Sequence, residues 1–205
     1  MIKNIIFDMG QVLIHWSPDM FLDRYALTEE DRLLLKRELY ASIEWVQLDH
    51  GTITEDEALE RICGRLPQRL HGTARELVTG WWIPPLDPME GMEELIRELK
   101  KEGYRLFVLS NAGLSLRGYC TRLPGADCFD GVLVSAEEKL LKPQLEIFRT
   151  LMQRYSLAAE DCVFIDDLPA NCEGAVCAGL RACIFRGDVG LLRKELRRLG
   201  VRCHE

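Results

Sequence analysis

The sequence predicts an α/β fold with a parallel-sheet core and one inserted, all-helical subdomain. Three observations predict it. Short apolar runs at 2–7, 105–109, 131–134, 162–165 and 181–185 alternate with helical patterns in the second half of the chain, and strands separated by helices imply right-handed crossovers within a parallel sheet. Residues 15–86, by contrast, contain helix signals and no convincing strand. Trp81-Trp82-Ile83-Pro84-Pro85 then ends that block, because Pro cannot continue a helix and restricts the residue before it. The expected organisation is an α/β core from 1–14 and 87–205, with 15–86 inserted.

Composition bounds the function. At 205 residues the chain suits one domain, or one domain with an insertion, and 47% hydrophobic with 29% charged residues is an ordinary globular composition. The net charge of -7 repels nucleic-acid phosphates and gives no broad attraction to anionic lipid, so neither nucleic acid nor membrane is an expected partner. An anionic ligand must be held locally. The eight cysteines include no C-x-x-C pair and no zinc-finger spacing with His. Cys63, Cys162, Cys177 and Cys183 sit among apolar neighbours, where Cys acts as a small buried hydrophobe. With no signal-like amino terminus and no apolar run long enough for a bilayer, the expectation is a cytoplasmic protein with reduced thiols.

Taken in order, residues 2–7 form an Ile-rich run suited to a strand covered on both faces, and it stops at Asp8. In the next block, Ser17-Pro18 reads as N-cap and first turn, Thr28 precedes three acidic residues, and Thr54 with Glu57 forms a capping box. Leu33, Leu34, Leu35 and Leu39 give one helical stripe, Ile43, Val46 and Leu48 another, and Ala58, Leu59 and Ile62 a third, with Gly51 and Gly64 as stops. Asp87 to Glu90 cap a helix with stripe Met92, Leu95, Ile96 and Leu99 ending at Gly103. Further helices are expected at 114–123, 144–155 and 170–178. The basic run at 193–198 reads as a solvated helix face.

The chemistry lies at the end of each strand. Asp8 comes after the first, Ser110-Asn111 after the second, a loop to Lys142 after the third, and Asp166-Asp167 after the fourth. In an open parallel sheet all four gather at the carboxyl edge, where ligands bind. Singly, each residue is an ordinary turn or cap residue. Together they supply a carboxylate nucleophile, a hydroxyl, a cation and an acidic pair, a complete set for phosphoryl transfer through an aspartyl-phosphate. A hard Mg²⁺ ion prefers oxygen ligands, so Asp8 and Asp167 are candidate metal ligands, with Asp166 a further ligand or an orienting group. Lys142 would neutralise nucleophile and phosphate, while Ser110 and the Asn111 N–H would bind a phosphate oxygen.

Phe7-Asp8-Met9-Gly10-Gln11-Val12-Leu13, Val108-Leu109-Ser110-Asn111, Leu141-Lys142-Pro143 and the run from Phe164 to Asn171 resemble motifs I to IV of the haloacid dehalogenase-like (HAD) hydrolase superfamily. The resemblance covers essentially the whole chain. It implies a Rossmann-like core, a helical C1 cap over small substrates, Mg²⁺, and Gly10 contributing its carbonyl to the metal. Within the superfamily the chain is similar to the bacterial glucose-1-phosphate phosphatase type and to the amino-terminal phosphatase domain of soluble epoxide hydrolases. One departure stands out. Most phosphatases of the superfamily carry a second Asp, the general acid and base, where this chain has Gly10; the glucose-1-phosphate type shares that Gly. His15 is the substitute the sequence offers, set against a plain cap residue with no role.

Three functions stay open at this stage. The first is a Mg²⁺-dependent phosphatase for a small phosphorylated metabolite such as a sugar phosphate. The second is a haloacid dehalogenase, against which the Asp166-Asp167 pair argues, since carboxylates without a cation repel the nucleophile. The third is a catalytically weak phosphoester-binding or regulatory module, suggested by Gly10. Trp16, Trp45, Trp81 and Trp82 either line a pocket or fill the small subdomain's core, and Glu44, Gln47 and His50 either read hydroxyls or form a solvated face. Oligomeric state is not legible.

Overall fold

In the computed structural model, which describes residues 1–204, five strands form one sheet: β1 (Asn4–Phe7), β2 (Arg105–Ser110), β3 (Gly131–Val134), β4 (Cys162–Asp166) and β5 (Arg181–Ile184). The order is β3-β2-β1-β4-β5 and every pairing is parallel, the Rossmann-like arrangement. All four residues of β1 are buried, as a central strand with both faces covered requires. Phe7 pairs with Val108 on one side and Ile165 on the other, so Asp8 emerges level with Asp166. Register thus sets the site before any side chain is considered.

The faces are separated by the two-residue period of the strands. Ile5, Phe7, Leu106, Val108, Val163 and Ile165 pack on α6 (Met92–Lys101) and α11 (Val189–Arg198). Ile6, Phe107, Leu109 and Phe164 face the other way, toward Ile147, Phe148 and Leu151 of α9 (Leu145–Tyr155) and Ala175 of α10 (Pro169–Cys177). Each fully buried Ile, Leu or Phe contributes about 1.5–3 kcal/mol through the area it removes from water.

Residues 15–86 hold no strand among the described residues. They form α1 (Pro18–Leu22), α2 (Glu29–Leu35), α3 (Ile43–His50), α4 (Glu55–Cys63) and α5 (His71–Thr79), with a wider π-helical turn at Lys36–Tyr40. Ser17, Thr28, Ser42 and Thr54 cap the first four through side-chain oxygens, and Thr54 with Glu57 completes the capping box. These helices bury their own cluster, including Phe21, Leu35, Leu39, Leu59, Ile62 and Leu77. The two chain crossings to the sheet run side by side: the His15 N–H donates to the Asp87 carbonyl at 2.8 Å and the Met89 N–H to the Leu13 carbonyl at 2.9 Å.

Several sequence expectations are corrected by the fold. Ile43 and Val46 do not form an inward stripe; both are exposed, as is Leu33. The inward face of α3 instead carries Glu44, whose carboxylate is buried against the Arg65 guanidinium at 2.7 Å. That partner, 21 residues away, is invisible to helical periodicity. The helix expected to be capped at Asp87 begins at Met92 behind Gly91 (φ 74°), because Asp87 and Met89 are taken up by pairing with His15 and Leu13. The helix expected at 114–123 is only α7 (Leu116–Tyr119) and a 3-10 turn, and a short α8 (Ser135–Glu138) comes directly after β3. Cys177 is exposed, and all eight cysteines are free thiols. Among the described residues no helix is long and apolar enough to cross a membrane.

Candidate active site

The carboxyl edge of the sheet brings the predicted residues together. Asp8 leaves β1, Ser110 ends β2, and Asp166 ends β4. Lys142 arrives from the loop after α8 and places its Nζ 2.7 Å from Asp8 Oδ1 and 2.7 Å from Asp166 Oδ2. All three are buried. The Asn111 side chain grips the Lys142 backbone from both sides, its Nδ2 donating to the carbonyl at 3.1 Å and its Oδ1 accepting from the N–H at 2.9 Å. Asn171 Nδ2 lies 3.1 Å from each Asp166 oxygen, and the Leu168 N–H donates to Asp166 Oδ1 at 2.8 Å. Asp166 is therefore the anchor that fixes Lys142 and the start of α10.

The charge balance asks for a further cation. Asp8, Asp166 and Asp167 each offer an oxygen, all within 4.8 Å of one another, against the single ammonium of Lys142. Burial pushes Asp8 up to about 6 despite the opposing pull of Lys142, with Asp166 adding to the rise. Burial and Asp166 likewise raise Asp167. Burial acts to lower Lys142, yet the carboxylates of Asp8 and Asp166 hold it above its ordinary value, so it stays charged. Three hard oxygen donors carrying an excess negative charge fit a divalent cation such as Mg²⁺. The Gly10 carbonyl, in the turn after Asp8 at the cavity floor, accepts no hydrogen bond among the described residues.

This electrostatic arrangement predicts a pH dependence. A carboxyl whose folded-state pKa lies above its unfolded value holds its proton more tightly when folded, so stability declines as pH rises through the interval between the two. Asp8 moves from 3.8 to about 6, and Asp49, near the end of α3, from 3.8 to about 7. In chelator, the melting temperature is expected to decline between about pH 4 and pH 7, and added divalent cation should flatten that decline. Calorimetric scans across this range, with and without the cation, check both signs.

A cavity of about 450 Å³ opens above these groups, within the range of small-ligand sites. Its floor is Asp8, Gly10, Ser110, Asn111, Lys142, Asp167 and Asn171. Trp16, Tyr40, Trp45, Trp81 and Tyr119 form its walls, with Tyr40 and Trp45 rings 4.9 Å apart and Trp81 and Tyr119 5.3 Å apart. The tryptophans thus both fill the helical core and line the pocket, except Trp82, which packs on Tyr119 outside it. Glu44, Gln47 and His50 do not line it: they bond Arg65, Arg61 and the Lys139 carbonyl. His15 does not line it either.

Asp49 does, and sequence reasoning missed it. Burial first, then the Asp8 carboxylate, push it up to about 7, while Lys142 and the Gly113 N–H oppose the rise. It sits at the end of α3, pinned on the core. Ser135 Oγ lies 2.5 Å from the Asp49 carbonyl, His50 Nε2 lies 2.8 Å from the Lys139 carbonyl, and Gly51 (φ 68°) passes so close that a Cβ there would stand 2.0 Å from the Ala136 oxygen. Gly51→Ala is expected to unseat this contact, costing about 1–3 kcal/mol and lowering turnover, as thermal melts and assays on the variant would show.

Comparison with known proteins gives the family. Residues 2–179 match the profile described as hydrolase, haloacid dehalogenase-like hydrolase. The chain belongs to the haloacid dehalogenase-like hydrolases. The HAD-like assignment is accompanied by 28% identity to a sesquiterpene phosphatase, astK, of Aspergillus oryzae, over 87% of each chain. A HAD family enzyme of Bacteroides thetaiotaomicron, solved with magnesium and inorganic phosphate, shares the fold with a TM-score of 0.70 at 21% identity, covering 94% of this chain and 99% of that one. L-2-haloacid dehalogenase of Xanthobacter autotrophicus shares the HAD fold with a TM-score of 0.67 at 15% identity, covering 99% of this chain and 85% of that one.

Proposed function

We propose that this hydrolase is a Mg²⁺-dependent phosphatase that cleaves a small phosphorylated metabolite through an aspartyl-phosphate on Asp8. The observation that carries the reading is the buried Asp8–Lys142–Asp166 chain, with Asp167 beside it at the cavity floor. Asp8, Asp167 and the Gly10 carbonyl would hold the ion, with Asp166, already engaged by Lys142 and Asn171, bearing on it from behind. When bound, Mg²⁺ lowers the charge repulsion between the phosphate and Asp8. Asp8 forms the new oxygen–phosphorus bond as the ester bond breaks, and water then releases phosphate. Lys142 neutralises Asp8 and a phosphate oxygen; Ser110 and the Asn111 N–H hold another.

In this reading 15–86 is a cap over the core formed by 1–14 and 87–205, and the cap walls select the substrate body. A sugar phosphate could lay its apolar ring face on Trp16, Trp45 or Trp81, but the expected hydroxyl readers lie elsewhere. The aromatic walls also favour a phosphate ester with an apolar body, and the sesquiterpene phosphatase relative is consistent with that second reading. The dehalogenase alternative is disfavoured by the excess of carboxylates.

Hydrolysis of p-nitrophenyl phosphate with Mg²⁺, lost in excess chelator, is the expected result; turnover unchanged in chelator would sink the reading. Asp167→Ala should weaken Mg²⁺ activation by about 10–100-fold, measured as the concentration giving half-maximal rate. A panel setting sugar 1-phosphates against isoprenyl and aryl phosphates decides the body.

A further inference from the structure

We propose that Asp49, a residue of the helical cap, is the general acid and base of this enzyme, doing from above what a second motif I carboxylate would do from Gly10. The inference rests on the phosphatase reading. Its grounds are placement. Among the described residues, Asp8, Asp49 and Asp167 are the carboxylates lining the cavity, and Asp8 and Asp167 are committed to nucleophile and metal. His15, the candidate nearest in sequence, does not line it.

Asp49 is also held rather than loosely presented. The α3 end is fixed to the core through the Ser135 contact to the Asp49 carbonyl, the His50 contact to Lys139, and the Gly51 backbone against Ala136. These contacts use the Asp49 backbone carbonyl, the His50 ring and the Gly51 backbone. The carboxyl group makes none of these contacts, and the residue lines the cavity. Burial beside Asp8 favours its protonated form, as a proton donor requires. In the first half-reaction the Asp8 oxygen bonds to phosphorus, the ester oxygen departs, and the Asp49 proton passes to it, leaving a carboxylate. In the second, water bonds to phosphorus and returns a proton to Asp49 as the bond to Asp8 breaks.

A general acid matters most when the leaving group is poor, so the readout is leaving-group dependence. Wild type, Asp49→Asn, Gly10→Asp and the double variant are assayed on p-nitrophenyl, phenyl and primary alkyl phosphates. Asp49→Asn is expected to lose roughly 10²–10³-fold in kcat/KM on alkyl phosphates and at most about 10-fold on p-nitrophenyl phosphate. Gly10→Asp should restore alkyl phosphate turnover to the Asp49→Asn enzyme, since a Cβ at Gly10 meets only Trp16 Cβ at 3.8 Å. Residual p-nitrophenyl phosphate turnover reports folding, and Asp49→Ser serves in its place if Asn misfolds. An equal loss on every ester, or no loss, overturns the proposal and leaves the phosphatase reading standing. If wild type hydrolyses none of the esters, that reading itself falls and takes this proposal with it.

Discussion

Asp8→Asn is expected to fold as the wild type does and to lose essentially all turnover, by roughly 10⁴-fold or more in kcat, the scale at which removal of a covalent nucleophile is felt. An amide is nearly isosteric with the carboxylate but cannot form the acyl-phosphate. The fold should tolerate the change because Asp8 is one of three carboxylates around a single ammonium, and removing one charge relieves rather than creates an imbalance. A folded Asp8→Asn protein that hydrolyses p-nitrophenyl phosphate at a near-normal rate would remove Asp8 from the nucleophile's role. Circular dichroism and single-turnover assays on the same sample separate folding from chemistry.

Lys142→Met is expected to have the larger effect on the protein itself. The ammonium is 2.7 Å from both Asp8 and Asp166, and all three groups are buried. Removing the cation leaves two buried carboxylates facing each other without compensation, a loss of about 3–5 kcal/mol on the scale seen when one partner of a buried pair is deleted. Activity should vanish as well. Denaturant melts would show the stability change, and Mg²⁺ should recover part of it by supplying positive charge to the same carboxylates. A Lys142→Met protein as stable as wild type, with or without Mg²⁺, would mean that the observed ion pairs contribute little.

The sheet and its edge were legible because both are written locally. A short apolar run with Asp, or Ser-Asn, at its end states strand and terminus within a few residues, and parallel topology then brings the termini together. The four stretches around Asp8, Ser110, Lys142 and Asp166 are of this kind. Asp49 is not. It lies between Gln47 and His50, which the sequence offers as a solvated face, and only the docking of α3 on α8 takes it into the cavity. Glu44 is a case of the same kind, since its burial depends on Arg65, which follows the end of α4. His15 attracted attention through proximity in sequence, but the turn at Gln11 (φ 56°) carries the chain round so that Trp16, one residue later, takes the pocket position. Local patterns specify elements; which face of an inserted helix meets the core is decided by contacts between residues far apart in the chain.

The seam between Gly51 and Ala136 holds the end of α3, and with it Asp49, against the core. On the proposed role of Asp49, lifting α3 from Ser135 and Ala136 would carry its carboxyl away from the phosphorus. In that reading, an enzyme with α3 lifted would hold no proton donor, and a phosphorylated Asp8 would be spared base-assisted attack by water. Substitutions along the seam should therefore change the lifetime of the phosphoenzyme as well as the rate of turnover.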